Sequence, residues 1–298
     1  MSETLIVFLL VCGGATVWGV SNVLRKYLFR ERNTPVEVAV VATMLGASSF
    51  LFGTQFVWFG TPHVSSPFWG FFAITAVLNI GIIYWQNKAL KMEDASVVEP
   101  IQGTTPLFVI LTAWLILREL PTFWGAIGIL TTVFGVYILA LKRSDVGSIR
   151  SFAKPWLRLA QSRGARFALT TAILGSISLN FDKLVVLNST PALRGASVFL
   201  LVALVVLGVS VARGQWQRLD KSSFLPMFAI GLLIGLSNVL MDWGFVFAFG
   251  IVPYVGSLKR FQIIVTTILA AVFLHEGDWV FRILAAAVIF GGIVLLAF

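Results

Sequence analysis

The 298-residue chain holds one cysteine, Cys12, and two histidines, His63 and His275. A single thiol excludes a disulfide within the chain. So few soft ligands argue against a structural zinc or an iron–sulfur cluster, and no cofactor or metal is expected. Charge is scarce too: Asp, Glu, Lys and Arg make up 12% of the residues, where a soluble domain carries about 25%. No Gly-rich loop ends in Lys-Ser/Thr, which argues against direct use of ATP. No Ser-His-Asp set or paired-carboxylate motif stands out, and Glu93-Asp94 lies in a basic loop. A membrane-embedded lipid-modifying enzyme, which needs such groups at the interface, is therefore the weakest functional alternative.

What the chain has in abundance is apolar sequence, at 58% of residues. Ten apolar runs fall at about 4–24, 37–58, 67–88, 96–117, 122–141, 167–187, 193–212, 225–249, 253–274 and 279–297. Each is near the ~20 residues that cross a hydrocarbon core as a helix. Barrel strands alternate and run to only about ten residues, so an outer-membrane barrel is excluded. The expected fold is all-α and polytopic. No basic stretch precedes the first run and no small-residue cleavage site follows it, so it reads as a retained helix.

The net charge of +9 points to anionic lipid rather than nucleic acid, because of where the cations sit. Arg25, Lys26, Arg30, Arg32, Lys88, Lys91, Lys142, Arg143, Arg150, Lys154, Arg158, Arg163, Arg166, Arg213, Arg218 and Lys221 flank alternate loops, 16 against two (Arg118 and Arg194) on the other side. The positive-inside rule then puts the loops after helices 1, 3, 5 and 7 in the cytoplasm and both termini outside. The expected location is the cytoplasmic membrane. Residues 142–166 read as a basic linker resting on lipid, and Pro155 forbids one unbroken helix there.

The chain also repeats itself. Shifted by 157 positions, segment 98–139 falls on 255–296, with Glu119 on Glu276, Leu117 on Leu274 and Gly135 on Gly292. The same shift sets Arg25-Lys26 on Asp182-Lys183 and Gln102 on Lys259. Duplicated membrane halves are typical of transporters, and five helices per copy invert the second copy in the bilayer. The halves are drawn at 1–141 and 167–298.

Segment 84–139 contains Tyr84-Trp-Gln-Asn-Lys-Ala-Leu90, Ala95-Ser-Val-Val-Glu-Pro100, Pro106-Leu107, Glu119 and glycines 125, 128 and 135. Together with Trp18-Gly19-Val-Ser-Asn22, this resembles the EamA-type module of the drug/metabolite transporter superfamily. The resemblance implies ten helices as two inverted five-helix repeats around a central cavity, working by alternating access. It places helices 1, 3, 6 and 8 around the pathway, so that Trp18, Asn22, Tyr84 and Trp243 become candidate lining residues. Small multidrug members carry a glutamate inside the first helix, whereas here only Glu3 stands at its start. Many relatives have cytoplasmic termini, the reverse of the charge bias. Lys259-Arg260 is similar to the dibasic pair that sugar-phosphate and nucleotide-sugar translocators direct at phosphate.

Ionisable groups inside a membrane helix usually face a cavity or a partner. Asp182, Lys183, Asp242, Lys259 and Arg260 are such groups, and helix rise puts all five in the outer half. The functional reading is that Arg260 or Lys259 binds a substrate carboxylate or phosphate while Asp182 or Asp242 holds the cations in the empty site. The structural reading pairs Asp242 with Arg260 and Asp182 with Lys259. Gln102 is a neutral counterpart of Lys259. Pro106 is expected to kink helix 4, Glu119 to cap the turn into helix 5, and the glycines to pack helices within a monomer, a dimer being the alternative. The expected function is secondary transport of a small polar, anionic or zwitterionic metabolite, an amino acid or a phosphorylated one. A coupling proton or counter-substrate would drive it, and a lipid-carrier flippase is the alternative.

Overall fold

The computed structural model describes residues 3–32, 34–92, 101–140, 161–214, 221–247, 251–273 and 279–296. Most of the basic linker, Glu93-Asp94, Glu99-Pro100, His275 and Glu276 lie outside these residues. Among the described residues all regular structure is helical, as a bilayer requires: hydrocarbon offers no partner to a free backbone N–H or C=O.

Among the described residues, ten helices follow the ten apolar runs. They are α1 (Glu3–Arg32), α2 (Val36–Thr54, extended by a π-turn at Gln55–Phe59), α3 (Phe68–Met92), α4 (Thr105–Leu117) and α5 (Phe123–Ala140). Then come α6 (Arg163–Leu187), α7 (Pro191–Ala212), α8 (Lys221–Trp243), the divided α9a (Val252–Leu258) and α9b (Phe261–Phe273), and α10 (Trp279–Leu295). Five stretches are long and apolar enough to span a membrane: Glu3–Arg25, Glu37–Phe59, Arg163–Leu187, Pro191–Ala212 and Ser222–Trp243. Shorter apolar stretches lie in α3, α4, α5 and α10. Large apolar side chains such as Leu9, Val77, Phe134 and Leu225 stay exposed, a pattern unfavourable in water and natural against lipid. Exposed Trp58 and Trp69 stand near helix ends, where interfacial tryptophans anchor. The chain is a multi-pass membrane protein.

The described chain forms two compact units, each drawing on both sequence halves. The first comprises Met1–Ala76 and Asp182–Phe249. In it α8 packs on α1 and α2, and α2 packs on α7. Glycine permits the α2–α8 approach: a Cβ on Gly46 would strike the Phe228 carbonyl, and one on Gly231 the Thr43 carbonyl. Ser237 donates to the Gly14 carbonyl at 2.6 Å and Ser48 to that of Ala196 at 2.9 Å. Such bonds join helices where apolar burial supplies little drive.

The second unit comprises Val77–Phe181 and Gly250–Phe298. Its tightest seam is α5 against α10. A Cβ on Gly128 would lie 2.6 Å from the Gly292 carbonyl oxygen, and one on Gly135 would lie 3.2 Å from that of Ala285. The repeat shift maps 128 onto 285 and 135 onto 292, so these two contacts are images of each other. That is the behaviour of a two-fold interface, and it assigns these glycines to packing within one chain.

Three boundaries differ from the sequence expectation. Helix 8 ends at Trp243 and turns through Phe245, which is buried, short of the end at 249 that the apolar run suggested. Pro106 does not kink a running helix: it occupies the first turn of α4, and the interruption lies just before it. Proline suits that turn because no intrahelical N–H is needed there. Helix 9 is interrupted at Lys259-Arg260.

Gly128→Leu and Gly135→Leu should each lower stability by about 1–3 kcal/mol, because backbone carbonyls cannot move aside for the new side chain. Gly291→Ala, with nothing within 4 Å of its Cβ, should stay within about 0.5 kcal/mol of the parent. Thermal unfolding of the three variants in detergent checks the seam; equal midpoints would contradict it.

Candidate functional site

In the second unit both copies of the repeated helix break within one residue of the same place. In the first copy the Thr104 N–H bonds to Ile101 O at 3.2 Å and the Leu107 N–H to Thr104 O at 2.9 Å. In the second, the Arg260 N–H bonds to Ser257 O and the Ile263 N–H to Arg260 O, both at 2.9 Å. Each is a bond to the third residue back, the tighter pitch that interrupts an α-helix. The two sets are 156 positions apart, one short of the repeat shift.

Lys259 and Arg260 thus sit in the break of α9, both partly buried. Every residue of α9a is buried. Tyr254 places its hydroxyl 3.0 Å from the Thr122 N–H, and Glu119 Oε2 accepts the Val252 N–H at 2.8 Å. Glu119 therefore caps α9a, a partner beyond the turn into α5 that its chain position suggested. A carboxylate favours a helix N-terminus because the first N–H groups have no intrahelical acceptor.

Several buried polar atoms in this unit have no hydrogen-bond partner among the described residues: Arg260 Nε, Gln102 Nε2, Ser257 Oγ and Asn180 Oδ1. Arg260 makes no ion pair among the described residues either, so its expected pairing with Asp242 is not found. Orphaned polar atoms are rare in native interiors, and each points to an absent ligand, an ordered water or stored strain. Asn180 donates through its other amide atom to Thr112 Oγ1 at 2.9 Å and to Ser176 O at 2.7 Å.

The first unit contains the acids. Asp242, in the last turn of α8, is fully buried and takes Arg194 through Nε at 2.7 Å and through Nη2. Arg194 Nη2 also reaches Asn238 Oδ1 at 3.3 Å, and Nη1 lies 3.7 Å from Asp182 Oδ2. Thr75 donates to Asp182 Oδ1 at 2.5 Å. Lys183 is buried beside Asp182 in the chain. The acids therefore hold Arg194, a residue the charge count had left at a membrane end. Its depth was the available signal. Arg194 stands in the first turn of α7, Asp242 in the last turn of α8 and Asp182 five residues before the end of α6, and all three helix ends face the same side in the charge-bias topology. Gly195 makes room, since a Cβ there would strike Asn238 Oδ1.

The remaining sequence candidates spread over both units. Trp18 packs on the core of Ala39, Ala42, Met227 and Ile234. Trp243 packs with Leu51, Ala196 and Val239, its ring 5.8 Å from that of Phe59. Asn22 accepts from Arg25 at 2.6 Å. Tyr84 lies on α3, its side chain outside the described residues.

Removing one partner of a buried ion pair strands the other charge, which costs about 3–5 kcal/mol. Arg194→Ala should lose that much, and Arg194→Met combined with Asp242→Leu should recover most of it. A double-mutant cycle on unfolding midpoints measures this; a fully stable Arg194→Ala protein would show that the pair contributes nothing.

Comparison with known proteins gives three findings. No curated protein matches the chain. One solved crystal structure of a protein is similar at TM-score 0.74 and 17% identity, covering 99% of this chain and 96% of its own; at that identity the likeness shows the fold alone. The family model described as the EamA-like transporter family matches residues 5–141. Over that stretch, a little under half of the chain, the sequence is similar to the EamA-like transporter family.

Proposed function

We propose that the chain is a secondary transporter of a small organic anion or zwitterion, a carboxylate or phosphate ester of metabolic size. It would work by alternating access in the cytoplasmic membrane, with basic loops inside. The observation that carries this reading is Arg260: a guanidinium at a helix break, with a buried Nε and no ion pair among the described residues. A cation held in a membrane fold without a protein counter-ion is suited to an anionic ligand. Guanidinium also grips either oxyanion with two parallel bonds. Lys259 adds charge without a fixed direction. Broken helices support the reading, because irregular backbone is tolerated at membrane depth where protein or a cavity covers it. Asp182 and Asp242 both meet Arg194, so in this reading their first role is to hold that cation. Coupling to a proton or counter-substrate is part of the proposal.

Arg260→Ala should abolish anion uptake into proteoliposomes, by about 100-fold or more, while the purified variant keeps its elution profile and unfolding midpoint. Arg260→Lys should retain part of the activity. Uptake unchanged in Arg260→Ala would sink the anion reading; a cationic substrate would then be sought.

A further inference from the structure

We infer that Gln102 restricts the substrate to a single anionic group, by supplying an uncharged donor where the second repeat supplies Lys259. The inference rests on the reading that Lys259-Arg260 receives the substrate anion.

The register of α4 against α9a places the two breaks on one side of their contact. Val252 meets Glu119, and a Cβ on Gly256 would lie 4.0 Å from Val109 Cγ1. Numbers rise in one helix as they fall in the other, so the two run antiparallel. Gln102 comes seven residues before Val109, about 10 Å along the axis, and Arg260 four residues after Gly256, about 6 Å. Antiparallel running makes those the same direction in space. Each residue carries a buried N–H donor, Gln102 Nε2 and Arg260 Nε, with no partner among the described residues.

Among the described residues of the first break, the neighbouring hydroxyls are already engaged. Thr104 and Thr105 turn their hydroxyls back to the carbonyls of Ile101 and Gln102, both at 2.6 Å. Gly103 is the repeat counterpart of Arg260, and a Cβ there would lie 2.7 Å from Val136 Cγ1, so α5 closes that position to a long cation. The amide of Gln102 is left. It can satisfy a hydroxyl, carbonyl or amide oxygen. A second carboxylate or phosphate would meet a neutral donor in a desolvated place, with no counter-charge. The ligand class is an organic molecule with one anionic group at the α9 break and a neutral acceptor several ångströms away.

The test uses the full chain in detergent and three probe pairs: lactate and malate, glutamine and glutamate, glycerol phosphate and phosphoglycerate. Affinities come from ligand-induced thermal stabilisation. The parent protein should favour the first member of at least one pair by about tenfold, the scale of one unsatisfied buried polar group, and Gln102→Lys should reverse that preference. Gln102→Glu, nearly the same size, covers the case of a misfolded lysine variant and should reject the probes that the parent binds. If Arg260→Ala abolishes binding but Gln102→Lys keeps the parent preference, or Gln102→Glu binds as the parent does, this inference falls and the transport reading stands. Binding that survives in a folded Arg260→Ala protein, or no binding of any probe to the parent, overturns both.

Discussion

Hydrocarbon cannot hydrogen-bond, and the rest of the structure follows from that. Each crossing segment must satisfy its own backbone, so the apolar runs become helices. Departures from the helical ladder then need cover. α9a is buried along its whole length. Its N-terminus is bonded by Glu119, and its wall is held by Tyr254 reaching Thr122. The α9 interruption comes directly after this enclosed segment, and the α4 interruption sits against α5, with Gly103 close to Val136.

Two arginines illustrate how the same chemistry is put to different ends. Arg194 is buried and fully engaged, with two carboxylates and an amide oxygen around it. That arrangement fixes α7 to α8 and α6 within the first unit, and a half-satisfied version of it would be worse than an apolar core. Arg260 is partly buried in the second unit with an orphaned Nε. The first is a satisfied structural charge. The second is the residue on which the proposed anion site rests.

The repeat explains why sites come in pairs and why they differ. The α5–α10 seam keeps its symmetry, with Gly128–Gly292 mirrored by Gly135–Ala285. Small residues must occupy both sides of a two-fold contact, so neither copy is free to change. The helix breaks recur as well, yet their side chains have diverged, from Gln102-Gly103 in one copy to Lys259-Arg260 in the other. The backbone break is common to both copies, and the side chains at it are not.

The sequence by itself determined the all-helical membrane class, the ten helices, the EamA resemblance later matched over residues 5–141, and the intramembrane charges. These depend on hydropathy, length and motif spacing, which are local. Tertiary structure decided who meets whom. Arg194 looked like a loop-end cation because its distance from Asp242 along the chain hides a contact at matching helix ends. Glu119 caps a helix 133 residues away, a partner that its place in the chain does not reveal. Trp18 and Trp243, candidate lining residues by resemblance, each pack partly buried against a core cluster, a contact that an aromatic ring does not announce in sequence. The break in α9 had a charge signal but no Gly or Pro at the break itself, so only the packed backbone revealed it.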